Sequence, residues 1–237
     1  MWRPGSRGMG KKTLSADEYY KRAKGILLRL QEEYARIAGP WEMWKIGRHM
    51  KEIDHPAQKN MQEIELFKGY EEVQHSLGLT VTQGIARMLD NPNGKDTLCL
   101  EALKGCIGCL EVRMKFLDDA SKWLENIENE EEYRNRVEIW FKQIIKKTTY
   151  IRNDNRTNKL KDTRDQYLSH NLVLSPQLIT YKEVGELWEK IKEIIKLSSL
   201  ALTLADFDTG QRDDFFKNRA KVFWSTFEKG LDCKDTS

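Results

Sequence analysis

LKDTRDQYLSHN, residues 160–171, is the stretch on which the reading of this chain turns. It places Arg164 and His170 five residues apart, in a polar segment between two long amphipathic ones. As a helix it sets Leu160, Arg164, Tyr167 and Leu168 on one face, at i, i+4, i+7 and i+8. An arginine within a partly apolar stripe needs a partner: a carboxylate, a second subunit or a phosphate. Arg164 and His170 lie about 120° apart around a helix and about 9 Å along it. They converge only if the helix ends near Ser169 and the chain turns, and Asn171 suits a left-handed stop. The spacing alone does not decide the matter, because Arg48 and His55 form a similar pair.

Upstream of this stretch the chain is basic. Lys146, Lys147, Arg152, Arg156, Lys159, Lys161 and Arg164 are interleaved with Tyr150 and Tyr167. Cations with aromatics fit a track for phosphates and stacked bases. The same residues also fit a solvated helix face balanced by Asp154, Asp162 and Asp165.

Further out, the pattern is helical throughout. Tyr133, Val137, Trp140, Phe141, Ile144, Ile145 and Thr148 share one face before the stretch. Val184, Leu187, Trp188, Ile191, Ile194, Ile195 and Leu202 share one after it. Ser15-Ala-Asp-Glu18 is a capping box that opens a helix expected to end before Gly39-Pro40. A second helix is expected from about Trp41 to His55-Pro56, and a third after Pro56, with a kink at Gly78. A loop is expected at Asp90–Gly94, then a short helix from Asp96 interrupted by Gly105 and Gly108. Helices from Leu110 to about Leu124 and around Phe216–Phe227 complete the set. Strand signals are missing, so the fold class is all-α. Residues 1–14 read as a disordered leader and 15–230 as one all-helical domain.

The chain has 237 residues, enough for one large or two small domains, and with 32% of them charged and 39% hydrophobic it suits a helical protein with long charged faces. The net charge of +3 supplies no global field toward nucleic acid, so such affinity must come from a local patch. No apolar run approaches the length that spans a membrane, and the basic N-terminus lacks the apolar core of a secretory signal. A cytoplasmic location without membrane contact is expected.

Cys106 and Cys109 form a lone C-x-x-C with no second pair and no histidines at ligand spacing, which fits reduced structural thiols better than zinc. Glu52-x-x-His55 and Glu72-x-x-His75 evoke a di-iron bundle. If the chain folds back at Pro56, however, the two motifs sit about 24 Å apart. No Gly-rich phosphate loop, nucleophile elbow or triad is present, and no metal or cofactor is expected.

Two blocks together resemble a known family. Gly84-Ile-Ala-Arg-Met-Leu-Asp90, then a loop and Leu98-Cys-Leu-Glu-Ala-Leu103, precede Leu160-Lys-Asp-Thr-Arg-Asp-Gln-Tyr-Leu-Ser-His170. Their order and separation are similar to the AbiU-type, abortive-infection branch of the HEPN superfamily. The likeness selects Arg164/Asp165/His170 over Arg48/His55. It implies a HEPN-like helical bundle, here with additional N- and C-terminal helices, that pairs as a homodimer with the two motifs facing each other. It further implies a metal-independent endoribonuclease of phage defence or a toxin–antitoxin system, with RNA as substrate and an antitoxin protein as a possible partner. On that match His170 is the general acid/base, Arg164 clamps the phosphate and Asp165 orients one of them. Arg156, Lys159, Lys161 and Tyr167 are the candidate RNA contacts. The alternative is a HEPN-shaped binding or scaffold module without turnover. Ser169 stands where the family often has alanine.

Overall fold

Ser15 opens the longest helix. Its hydroxyl accepts a hydrogen bond from the Glu18 amide (3.2 Å), and the Glu18 carboxylate accepts one from the Ser15 amide (2.7 Å). This reciprocal cap satisfies two of the amides that a helix start leaves over. In the computed structural model, which describes residues 14–52, 66–92, 98–123, 130–169 and 179–232, the helix so begun is α1, Ala16–Glu52. It is about 55 Å long at the α-helical rise.

Seven further helices follow among the described residues: α2 (Leu66–Met88), α3 (Leu100–Ile107), α4 (Leu110–Trp123), α5 (Glu130–Arg152), α6 (Asn155–Ser169), α7 (Tyr181–Thr203) and α8 (Thr209–Asp232). No strand occurs among those residues. The all-α architecture is therefore as the sequence implies.

Three expected interruptions do not interrupt their helices. Pro40 lies inside α1, which runs through Gly39-Pro40 without interruption. An internal proline removes one backbone hydrogen bond and costs about 3 kcal/mol. Ile37, Ala38 and Trp41 around it are buried, and burying large apolar side chains contributes about 1.5–3 kcal/mol each. Packing thus outweighs the local cost. Gly78 likewise lies within a continuous α2. There the ring of Trp44 passes so close that a Cβ on Gly78 would meet it at 3.0 Å. Gly105 does not interrupt α3, which continues to Ile107 and stops before Gly108.

The central helix packs against α2, α3, α4, α7 and α8, while α5 packs on α7 and α6 bridges α2 and α7. The periodic stripes of the sequence meet in the core. Leu27, Leu30, Tyr34 and Ile37 of α1 join Ile85 and Met88 of α2, Leu100 and Leu103 of α3, Phe141 and Ile144 of α5, and Trp188, Ile191 and Ile194 of α7. Trp41, which the sequence left unexplained, stacks on Tyr181 at 5.1 Å with the rings 11° from parallel. Trp44 meets both rings edge-on. Trp224 secures α8, its indole N–H donating to the Met43 carbonyl at 2.9 Å.

Candidate active site

The element that carries Arg164 is fixed over its first turns, before the arginine is reached. Asp154, in the turn between α5 and α6, accepts from the Arg156 amide (3.0 Å), from Arg156 Nε (2.8 Å) and from Lys190 Nζ (3.0 Å). The Arg156 guanidinium beside it holds the Asp154 carboxyl well below the usual carboxylate range. Arg156 also pairs with Glu186, and Lys159 Nζ lies 2.8 Å from Glu183, so α6 is bolted to α7. Glu183 is in turn the third residue of the capping box that Thr180 makes for α7.

Along α6, Leu160 is fully buried. Thr163 is buried too, its hydroxyl donating to the Lys159 carbonyl (2.7 Å) and accepting from the Ile179 amide (3.1 Å). That second bond ties the chain entering α7 back onto α6.

Arg164 then projects toward the end of α2. Its Nη1 lies 2.8 Å and 3.0 Å from the two carboxylate oxygens of Asp90, and its Nε lies 2.8 Å from Asp165. The arginine side chain is 19% exposed, Asp90 35% and Asp165 64%. Burial works against the guanidinium charge, but the hydrogen bonds to Asp165 and Asp90 outweigh it and raise its pKa. Of the three partners weighed for Arg164 from the sequence, the protomer itself supplies the carboxylate. Nη2 has no partner among the described residues. The cluster is one cation against two carboxylates, and a phosphate that takes both faces of the guanidinium must displace one of them. Asp165, the more exposed, is the one free to swing aside.

The first sequence block thus has a structural meaning. Its Arg87 pairs with Glu33 of α1 through Nε (3.0 Å) and Nη2. Its Asp90 pairs with Arg164 of α6. Leu100 and Leu103 beyond it are core. The block therefore anchors the end of α2 to α1 on one side and to the candidate site on the other. Asp90 belongs to the first sequence block without a role there; the sequence signals that Arg164 needs a partner such as a carboxylate, not which one. Thr163 had no signal, since the Ile179 amide it holds is sixteen residues away.

Next to Arg164, Thr163 contributes to the wall of a cleft of about 280 Å³ between α1, α2, α6 and α7, lined also by Trp44, Arg48, Tyr70, His75 and Tyr181. Arg48 lies 5.1 Å from the Tyr181 ring centroid. The chain pattern Arg48/His55 cannot be placed as a pair, because His55 lies outside the described residues. So does His170. The side chain of Tyr167, on the last turn of α6, is likewise outside them.

Of the candidate RNA contacts, Arg156 and Lys159 are engaged with carboxylates of the same protomer, as above. Lys161 is half-buried and has no ion-pair partner among the described residues. Among those residues no group of three His, Cys, Asp or Glu side chains is placed to hold a metal ion. Burial pushes the Cys106 thiol up to about 11, which suits a structural thiol. No helix among the described residues is long and apolar enough to cross a membrane.

No curated protein and no solved structure matches the chain significantly. One protein family does, the HEPN AbiU2 family, described as AbiU2, over residues 20–223. That span takes in α2 to α7 whole, with both sequence blocks, and most of α1 and α8. The chain belongs to the AbiU2 family of HEPN proteins.

Proposed function

We propose that this chain is a metal-independent endoribonuclease of phage defence or of a toxin–antitoxin pair, working as a homodimer with Arg164, Asp165 and His170 of both copies around one RNA phosphate. In this reading the 2′-OH of the substrate attacks the adjacent phosphorus. His170 takes the 2′-OH proton and returns a proton to the departing 5′-oxygen, work suited to a group that titrates near neutrality. Arg164 stabilises the negative charge gathering on the phosphate, as a guanidinium with two parallel N–H groups does well. Asp165 orients Arg164 in the resting state and yields its place to the phosphate. Lys161 and Tyr167 accompany the strand, and a cognate antitoxin protein and a cytoplasmic setting go with the role.

The observation that carries this reading is the placement of Arg164. It is held by Asp90 and Asp165, remains partly exposed, and lies five residues before the end of α6, to which His170 is the next residue. Family membership adds the abortive-infection setting.

One observation favours a second reading, a HEPN-shaped binding module without turnover. The Arg164 cluster is net negative, and Arg156 and Lys159 are neutralised within the protomer. The experiment that separates the two is incubation of the purified chain with RNA in EDTA, beside His170→Ala and Arg164→Ala. Cleavage by the parent alone supports the nuclease. No cleavage by the parent leaves the binding module, and equal cleavage by the parent and His170→Ala removes the assignment of the site.

A further inference from the structure

The basic run before Arg164 divides when it folds. Arg156 and Lys159 turn inward to α7, but Lys146, Lys147 and Tyr150 stay on the outer side of α5. There they meet Lys190 and Glu193 of α7 and line a groove of about 540 Å³ with Gln143. That volume is in the range of small-ligand sites. Its three lysines meet two carboxylates, Glu193 in the groove and Asp154 behind Lys190. Lys147 holds Glu193 at 2.8 Å, and Lys146 has no ion-pair partner among the described residues. Lys190 reaches from Asp154 across the groove, its ammonium 4.6 Å from the centroid of the Tyr150 ring. Tyr150 itself is 63% exposed, although a large ring on a packed helix is ordinarily drawn into the core. A cation under one part of the ring and lysines beside it make a stacking surface with phosphate partners within one side chain's reach. Single-stranded nucleic acids are held by this combination.

We propose that the α5–α7 groove binds a nucleotide of single-stranded RNA, its base against Tyr150 and its phosphate against Lys146. The proposal rests on RNA being the substrate, and it places the strand's outer contact at the α5–α6 turn. From there α6 carries on for about 12 Å between Arg156 and Arg164. Strand contact thus falls to residues of α5 and α7 in place of Arg156 and Lys159.

The test uses the full chain carrying His170→Ala, in EDTA, with a fluorescein-labelled 12-nucleotide oligoribonucleotide followed by anisotropy. Tyr150→Ala in that background is expected to weaken binding about tenfold, the loss of one stacked base. Tyr150→Phe, which keeps the ring, is expected to bind within about twofold of the parent. Lys146→Ala is expected to lower the slope of log affinity against log salt by about 0.7, while Tyr150→Ala leaves that slope unchanged. The proposal is overturned if Tyr150→Ala and Lys146→Ala bind as the parent does, if Tyr150→Phe loses as much as Tyr150→Ala, or if an acidic peptide displaces the RNA as well as unlabelled RNA does. The two readings fail separately. Cleavage by the unmutated chain, with binding indifferent to every groove variant, removes the groove and keeps the nuclease. Groove-dependent binding by a chain that never cleaves does the reverse.

Discussion

Removing Asp90 isolates what holds Arg164. The carboxylate receives Nη1 at 2.8 Å and 3.0 Å, from a guanidinium 19% exposed, while Asp90 itself is 35% exposed. An exposed ion pair contributes at most about 1 kcal/mol, and breaking a fully buried one costs about 3–5 kcal/mol. A half-sheltered pair with two short bonds falls between, so Asp90→Ala is expected to cost about 2 kcal/mol. For a chain of this size that lowers the melting temperature by about 4–8 °C. Arg164→Ala is expected to cost a similar amount, and the double variant about 2.5–3 kcal/mol, leaving a coupling energy of about 1–1.5 kcal/mol. Thermal and urea unfolding followed by circular dichroism measure all four corners of the cycle. Additivity within about 0.3 kcal/mol would refute the argument, since two groups in direct contact cannot be independent. The same variants bear on chemistry. If Asp90 is the main positioner of the guanidinium, Asp90→Asn depresses RNA cleavage more than Asp165→Asn, which removes the displaceable carboxylate.

Three other perturbations test the packing and the electrostatics. A methyl at Gly47 would meet the Gln74 amide and lie 2.6 Å from Trp224 Cζ2, so Gly47→Ala is expected to cost about 1–3 kcal/mol in urea unfolding, and an unchanged midpoint would mean that α8 does not seat there. The Lys159 ammonium bonded to Glu183 holds that carboxyl down at about 2. A depressed carboxylate lends stability above its unfolded value, near 4.5, that drains away as the pH falls through the folded one. The urea midpoint should therefore drop between about pH 4.5 and 2, less steeply in Glu183→Gln, and parallel curves for the two proteins would contradict the pairing. Cys109 is partly exposed whereas Cys106 is buried with its thiol raised, so alkylation of the folded protein at pH 7.5 should label Cys109 before Cys106. Early modification of Cys106, read by peptide mass, would show that α3 is not packed as described.

The helices readable from the sequence are those whose apolar residues recur at helical spacing. Val137, Phe141 and Ile144 of α5 and Leu187, Ile191 and Ile194 of α7 are all buried, as their period demands. Pro40 and Gly105 sit inside continuous helices because packing prevails there over the local rule. The residues flanking Pro40 are core on the faces that matter, and no local window contains that information. The candidate site shows the same division. That Arg164 needs a counter-charge follows from its apolar neighbours, but that Asp90 supplies it depends on a contact across 74 positions of chain. The cationic run was visible as composition. Which of its members face outward was not, because Glu183 and Glu186, which absorb Lys159 and Arg156, lie on α7.

The claim on which the account depends is that the arginine of one copy works with the histidine of another. Arg164→Ala and His170→Ala chains, each purified alone and then dissociated and reassociated together, measure it directly in an EDTA-containing RNA cleavage assay. The account predicts two inactive parents and a mixture that regains a substantial fraction of unmutated activity, because mixed dimers restore one Arg164–His170 pair. A mixture as inactive as its parents, beside an active unmutated chain, would contradict it.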